Sequence, residues 1–423
     1  MGIRPTFGDS SWFVQARFGL FIHWGLYSLA ARREWLRMEE RIPTEVYRQR
    51  YFDHFDPDLY DPNAWADAAA DAGMKYFVVT TKHHEGFCMF DTQYTDFKAT
   101  NTPAGRDLIR PMVDAFRSRG FRTGFYYSLI DWDHPHYLYD GHYGPWHDPA
   151  DRERLNATRD QPRYAQYIRD QATELLTHYG QIDIMWFDFS YPYPDGKNHD
   201  HWQSRQLWDL VRRLQPNVLV DDRLDLAEGW DFRTPEKSRP REWVTFNGQR
   251  MVWEACHPFS STWGYHRQEG GWKSVDQLIQ MLIDSVSKGG NLLLNVGPTA
   301  RGEFDERALE RLRGIGAWMR RHDRSIHGCT QAPAEYPQPE DGRLTWNPTT
   351  RRLYVHVLAW PFKNLYLDGL ADKVQYAQLL NDASEVALIP PSSDYDKQRG
   401  TLTLDLPTVK PDVAVPGVEW FMK

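Results

Sequence analysis

The run Met185-Trp186-Phe187-Asp188-Phe189-Ser190 ends a strongly apolar stretch on an aspartate. A carboxylate at a strand end, walled by Trp186, can act as nucleophile, general base or ligand. It can equally cap a helix or sit in a buried ion pair. Two further carboxylates stand in related settings, Glu236 in WDFRTPEKS and Glu254 in MVWEACH. Cleavage of a glycosidic bond uses two carboxyl groups, about 5 Å apart when configuration is retained and farther apart when it is inverted. One must be ionised and the other a protonated acid. Asp188 paired with Glu236 or with Glu254 supplies the right groups.

The stretch Thr80-Thr81-Lys82-His83-His84-Glu85-Gly86-Phe87 raises a second question. Its two histidines could bind a metal, form a catalytic dyad or clamp a ligand. Adjacent residues on a strand point to opposite faces, so both reach one ion only if the strand breaks there. Gly86 permits a break. No H-E-x-x-H spacing occurs, and neutral imidazoles hydrogen-bonding to hydroxyls fit better than a zinc site. One histidine satisfied within the core is the plain alternative. His23 in FIHWG, Tyr126 and Tyr127 in FYYSLIDW, and Arg223 in VDDR add polar and aromatic groups at other strand ends, and Glu34-Trp35 follows in the loop after the first. Together they suit a polyhydroxylated ligand, which needs stacking surfaces and many oriented donors and acceptors.

These residues need a frame that gathers strand ends. Short apolar strands are expected at 17–25, 76–84, 122–132, 183–190, 218–223 and 291–298, with weaker candidates at 242–247 and 251–257. Amphipathic helices fit between them, the first opened by Asp61-Pro62 and stopped by Gly73. Such alternation over roughly 300 residues implies parallel strands with helical crossovers. No Gly-rich phosphate fingerprint follows the first strand, which disfavours a dinucleotide fold. A barrel places its site at the C-terminal strand ends, where the polar residues gather here. The expected fold is therefore α/β, a (β/α)8-like TIM barrel over 1–330, distorted or short of a helix. From about 335 to 423, short strands bounded by Pro, Asn, Asp and Gly read as a C-terminal antiparallel β-sandwich.

Composition narrows the function classes. The chain has 423 residues, is 41% hydrophobic and 26% charged, and carries a net charge of −8. That argues against a basic nucleic-acid footprint, and no run reaches the ~18 apolar residues of a spanning helix. The three cysteines, Cys88, Cys256 and Cys329, show no C-x-x-C spacing, so neither a disulfide framework nor a cysteine zinc site is expected. FGLFIHWGLYSLAA at 18–31 imitates a signal core but starts late and is interrupted by His23 and Trp24. A cytoplasmic location is the expectation, with no membrane or nucleic-acid partner; a homo-oligomer stays open.

The motifs RFGLFIHWG, KHHEGF, FKATNTPAGRDL, MWFDFS, VDDR, STWGYHR and SKGGNLLLNVGPTARG, taken in order, resemble those of the α-L-fucosidases of glycoside hydrolase family 29. The resemblance covers most of residues 10 to 330. It implies a retaining hydrolase acting on fucosylated glycans through a covalent fucosyl-enzyme intermediate, without metal or organic cofactor. Asp188 matches the family nucleophile. His23, Glu34, Trp35, His83, His84, Tyr126, Trp186, Arg223 and Trp263 resemble the fucose-binding set, with Trp263 facing the C6 methyl. Glu236 matches one placement of the acid/base and Glu254 another. The competing readings are a fucose-binding protein without turnover and a metal-dependent barrel hydrolase using His23, His83 and Asp188.

Overall fold

The computed structural model describes residues 2–142 and 149–423. Eight parallel strands run around a barrel: β1 (Phe18–Ile22), β2 (Tyr76–Lys82), β3 (Arg122–Ser128), β4 (Ile184–Asp188), β5 (Leu219–Val220), β6 (Phe232–Arg233), β7 (Val252–Pro258) and β8 (Asn291–Val296). Each pairs with its neighbour in sequence, and β8 returns to pair with β1. A single parallel bridge, Asp221 to Phe232, joins β5 to β6 and closes the ring.

Six principal helices cover the outside: α1 (Pro62–Asp71), α2 (Ile109–Arg117), α3 (Gln161–His178), α4 (Ser204–Leu214), α5 (Val275–Val286) and α6 (Glu306–His322). Their starts follow from local chemistry. Asp61 accepts from the amides of Asn63 and Ala64, with Pro62 in the first turn where no amide is needed. Ser274 and Gln277 form a reciprocal capping box at α5. No principal helix joins β5 to β6 or β6 to β7 among the described residues, so the barrel is short of helices on that side. The sixth strand also differs from expectation. Residues 242–247 contribute only to an outlying hairpin, and the barrel position is taken by Phe232–Arg233. A two-residue strand carries no periodicity to read.

Alternation along the strands separates two cores. Phe21, Tyr76, Val78, Ile184, Trp186, Val252, Cys256 and Leu293 fill the barrel, while Leu20, Phe77, Val79, Met185 and Leu294 face the helices. The Tyr76 ring lies where a β-carbon on Gly19 would come within 2.3 Å, so glycine on β1 is what admits that ring. After α6, a five-stranded antiparallel sheet faces a three-stranded one across a separate core that includes Leu344, Leu353, Leu404, Val418 and Trp420. This C-terminal part docks on the barrel: the Trp318 indole donates to the Val415 carbonyl at 2.8 Å, and the Thr345 hydroxyl to that of Ser325 at 2.8 Å.

One buried ion pair fixes the loops above β2 and β3. Lys82, fully buried, reaches Asp131 at 3.2 Å, donates to the Tyr164 hydroxyl at 3.1 Å and lies over the Tyr127 ring. Asp131 in turn accepts from the amides of Asp133 and His134. Removing one partner strands the other in a low-dielectric site. Lys82→Met is therefore expected to cost about 3–5 kcal/mol, read as a fall in the urea midpoint; a midpoint within error of the parent would show the pair to be dispensable.

Candidate active site

The C-terminal strand ends converge on a pocket lined by His23, Trp35, His83, His84, Tyr126, Trp186, Asp188, Glu236 and Trp263, together with Phe21 and Phe189. Trp186 and Asp188 are two apart on β4 and share its inner face. The Tyr126 hydroxyl donates to Asp188 Oδ2 at 2.7 Å. Arg223 Nη1 lies 2.8 Å from Asp188 Oδ1 and 2.9 Å from Glu236 Oε2. Those two lengths laid end to end limit the bridged oxygens to at most about 5.7 Å, shorter than the separation of roughly 6.5 Å or more that inversion uses. The guanidinium also lies over the Trp186 ring, 4.4 Å from its centre, and that ring stacks on Tyr126. Burial raises the pKa of Asp188; Arg223 pulls it back down, and Glu236 adds to the rise.

The two carboxylates occupy different settings. Asp188 lies near the pocket floor with its side chain 11% exposed, whereas that of Glu236 is 39% exposed at the mouth. Glu236 extends past β6 and pairs in parallel with Cys256. An extended backbone beside β7 thus carries it to the rim.

The histidine pair has a direct structural answer. β2 ends at Lys82, and His83 to Gly86 form a turn in which the Gly86 amide donates to the His83 carbonyl at 3.0 Å. Gly86 has φ +88°, and a β-carbon there would sit 2.2 Å from Asp131 Oδ1. The break is thus required, and it turns both imidazoles into the pocket, their centres 4.0 Å apart.

His84 and His23 each have their tautomer set from behind. The Ser128 hydroxyl donates to the Ile130 carbonyl, so it accepts from His84 Nδ1 at 2.6 Å. The Asn295 amide nitrogen donates to the Trp263 carbonyl, which leaves its oxygen to accept from His23 Nδ1 at 2.6 Å. In both rings Nε2 then carries a lone pair. Burial, with the neighbouring imidazole, holds both pKa values well below the usual histidine range. Neutral rings of this tautomer accept hydrogen bonds from hydroxyls. His84 Nε2 is 4.0 Å from Asp188 Oδ2.

Trp263 stacks on His23 with centres 5.2 Å apart, and Trp35 packs edge-on against His84. Glu34 is buried beside this group, and its Oε2 accepts the Gly264 amide at 2.8 Å, which fixes the chain next to Trp263. Among the described residues no group of three or more His, Cys, Asp or Glu side chains converges as a metal-ligand set.

Glu254 lies elsewhere. It is fully buried inside the barrel, in register with Asn291 and hydrogen-bonded to the Tyr76 hydroxyl. Neither Glu254 nor Glu34 lines the pocket. As a carboxylate able to partner Asp188, Glu254 is the alternative to Glu236 in the sequence, but its step along β7 puts it below the rim. Three further residues build the site outside the sequence motifs' candidate set: Asn295, Ser128 and Phe189. Asn291 and Asn295 break the leucine pattern of NLLLNV on one face, the signal that could have revealed Asn295. Phe189 combines an aromatic ring with φ +82° immediately after Asp188, a strained conformation that no sequence pattern encodes.

A family model described as alpha-L-fucosidase matches residues 8–324. The chain belongs to the α-L-fucosidase family. Human plasma alpha-L-fucosidase is 28% identical over 379 residues, which cover 83% of this chain and 76% of that one. The structure of alpha-L-fucosidase isoenzyme 1 from Paenibacillus thiaminolyticus is 44% identical, covers 98% of both chains and superposes with a TM-score of 0.91. That of Thermotoga maritima alpha-fucosidase in complex with fucose is 29% identical, covers 97% of this chain and 96% of that one, and has a TM-score of 0.77.

The interior carboxyl of Glu254 provides a pH test of this geometry. Burial pushes its pKa up to about 8 from an ordinary 4.5, against the opposing contacts of Tyr76 and Trp186. Between these values the unfolded chain has lost the proton and the folded one keeps it, so stability falls as pH rises. Glu254→Gln has no such proton. Its melting temperature relative to the parent is expected to rise steadily from pH 5 to pH 8; a pH-independent difference would contradict a protonated Glu254.

Proposed function

We propose that Asp188 is the nucleophile and Glu236 the general acid/base of a retaining α-L-fucosidase. The chain is a glycoside hydrolase that cleaves α-L-fucosyl linkages of fucosylated glycans, with retained configuration at the anomeric carbon. The observation that supports the residue roles best is the single Arg223 nitrogen held between the two carboxylates. It keeps them close enough for the double-displacement route and favours an ionised Asp188 in a buried site.

The chemistry follows from the two settings. Asp188 attacks the anomeric carbon through an oxocarbenium-like transition state while Glu236 protonates the leaving oxygen. Glu236, at the mouth, then removes a proton from the water that attacks the covalent intermediate. The lone pairs of His23 and His84 accept hydrogen bonds from fucose hydroxyls, and the Trp263 face meets the C6 methyl. His83, Trp35, Tyr126, Trp186 and Glu34 complete or support the binding wall.

Three variants test these roles. Asp188→Ala should lose several orders of magnitude in turnover of p-nitrophenyl α-L-fucoside, and azide should restore activity by giving a fucosyl azide of inverted configuration. Glu236→Ala should yield the retained azide instead; undiminished turnover in either variant would reject that residue's role. Asp188 must be ionised to attack, and its pKa lies above the ordinary value. The acid limb of kcat/KM should therefore fall above the range of a solvated aspartate. Arg223→Gln removes the opposing charge and should move that limb to higher pH; an unmoved limb would separate Arg223 from Asp188 ionisation.

A further inference from the structure

Beside the catalytic pocket lies a cleft of about 350 Å3 that shares Phe189 with it and includes Arg223, Asp222, Asp225 and Tyr193 in its lining. From the reading of the chain as a fucosidase, we infer that this cleft binds the leaving group. We further infer that the group it fits is a neutral sugar stacked on Tyr193, with a hydroxyl donating to Asp225.

Position is the first argument. Arg223 lines this cleft and bonds the nucleophile and the proposed acid at once. A group joined to the anomeric carbon through the oxygen that Glu236 protonates leaves the pocket past this side chain. Phe189 forms the wall between the two spaces. Its ring packs against Trp35, His84 and Tyr191.

The second argument is how the stacking surface is held. Tyr193 stands at the tip of a hairpin with 60% of its surface exposed. The hairpin is tied at its base, where Tyr191 and Lys197 exchange both backbone hydrogen bonds at 2.9 and 3.1 Å. The Gly196 amide donates to the Tyr193 carbonyl at 2.8 Å. The buried Lys197 ammonium pairs with buried Asp140, and the Trp202 indole donates to Ser190. An exposed aromatic on a braced hairpin loses little freedom when a ligand stacks on it, and its apolar face meets the C–H face of a pyranose.

The third argument is charge. His199 meets Asp225 Oδ2 through its backbone amide at 3.1 Å and Nδ1 at 3.2 Å. Oδ1 has no hydrogen-bond partner among the described residues and is available to a ligand hydroxyl. Asp222 is already engaged by Thr234 and Arg233. Two carboxylates at the mouth favour a hydroxyl-rich neutral sugar and oppose a sulfated or carboxylated one.

The test compares two substrates that differ only in the leaving group. α-L-Fucosyl fluoride expels a single atom, which is too small to reach the cleft. The other substrate is the best-cleaved member of a set of α1,2-, α1,3-, α1,4- and α1,6-linked fucosyl disaccharides with neutral sugars. Tyr193→Ala should lower the disaccharide-to-fluoride ratio of kcat/KM about tenfold, and Asp225→Asn about fivefold. Fluoride turnover reports separately on folding and on the chemistry. A ratio unchanged in both variants would overturn the leaving-group site while the fucosidase reading stood. Failure of the parent chain to release fluoride would overturn that reading and this inference with it.

Discussion

Two carboxylates brought this close repel each other, and in a buried site that repulsion normally drives one of them to bind a proton. Arg223 changes the balance. Its Nη1 contacts both groups, and its planar face lies on Trp186, which itself stacks on Tyr126. The Tyr126 hydroxyl then returns to Asp188. Asp188 is thus held from two sides by groups that are fixed by each other. A lysine would supply the charge but not the plane that both stacks and bridges.

The remainder of the site is arranged around hydrogen-bond direction rather than charge. His23 and His84 are buried without carboxylate partners at Nδ1; Asn295 and Ser128 stand there instead. Neutral partners leave the rings neutral, and neutral rings with lone pairs facing inward suit hydroxyl donors. The same logic explains the turn at His83–Gly86. Both imidazoles face inward only because the chain leaves the strand, and the glycine is needed because Asp131 occupies the space a side chain would fill. Asp131 is in turn held by buried Lys82, one residue before the pair. The motif KHHEG at 82–86 is therefore one unit: its lysine anchors the turn, its histidines use it and its glycine permits it.

Much of this was readable in the residues. Apolar runs ending in His23, Lys82, Tyr127 and Asp188 marked four consecutive strands, since a buried parallel strand is apolar until it reaches the rim. The Pro and Ser starts of α1 and α5 follow directly from backbone hydrogen-bonding needs. The sixth strand was not readable, because two residues held by a neighbour's ladder have no pattern of their own. The choice between Glu236 and Glu254 was equally hidden. Both follow aromatic or apolar residues by a few positions. Their difference, rim against barrel interior, depends on how far each chain segment has climbed beside its neighbour.

The sequence by itself determined the alternation of strands and helices, the family, and the identity of the groups able to do the chemistry, because these depend on local periodicity and residue type. The tertiary structure alone decided which glutamate meets Asp188, which imidazole nitrogen faces the pocket, and that one arginine serves two acids. Those outcomes depend on register and packing between segments far apart in the chain. Asn295 and Trp263 set His23, and Thr234 and Asp188 set Arg223. No local pattern carries a distance between residues that meet only when the barrel closes.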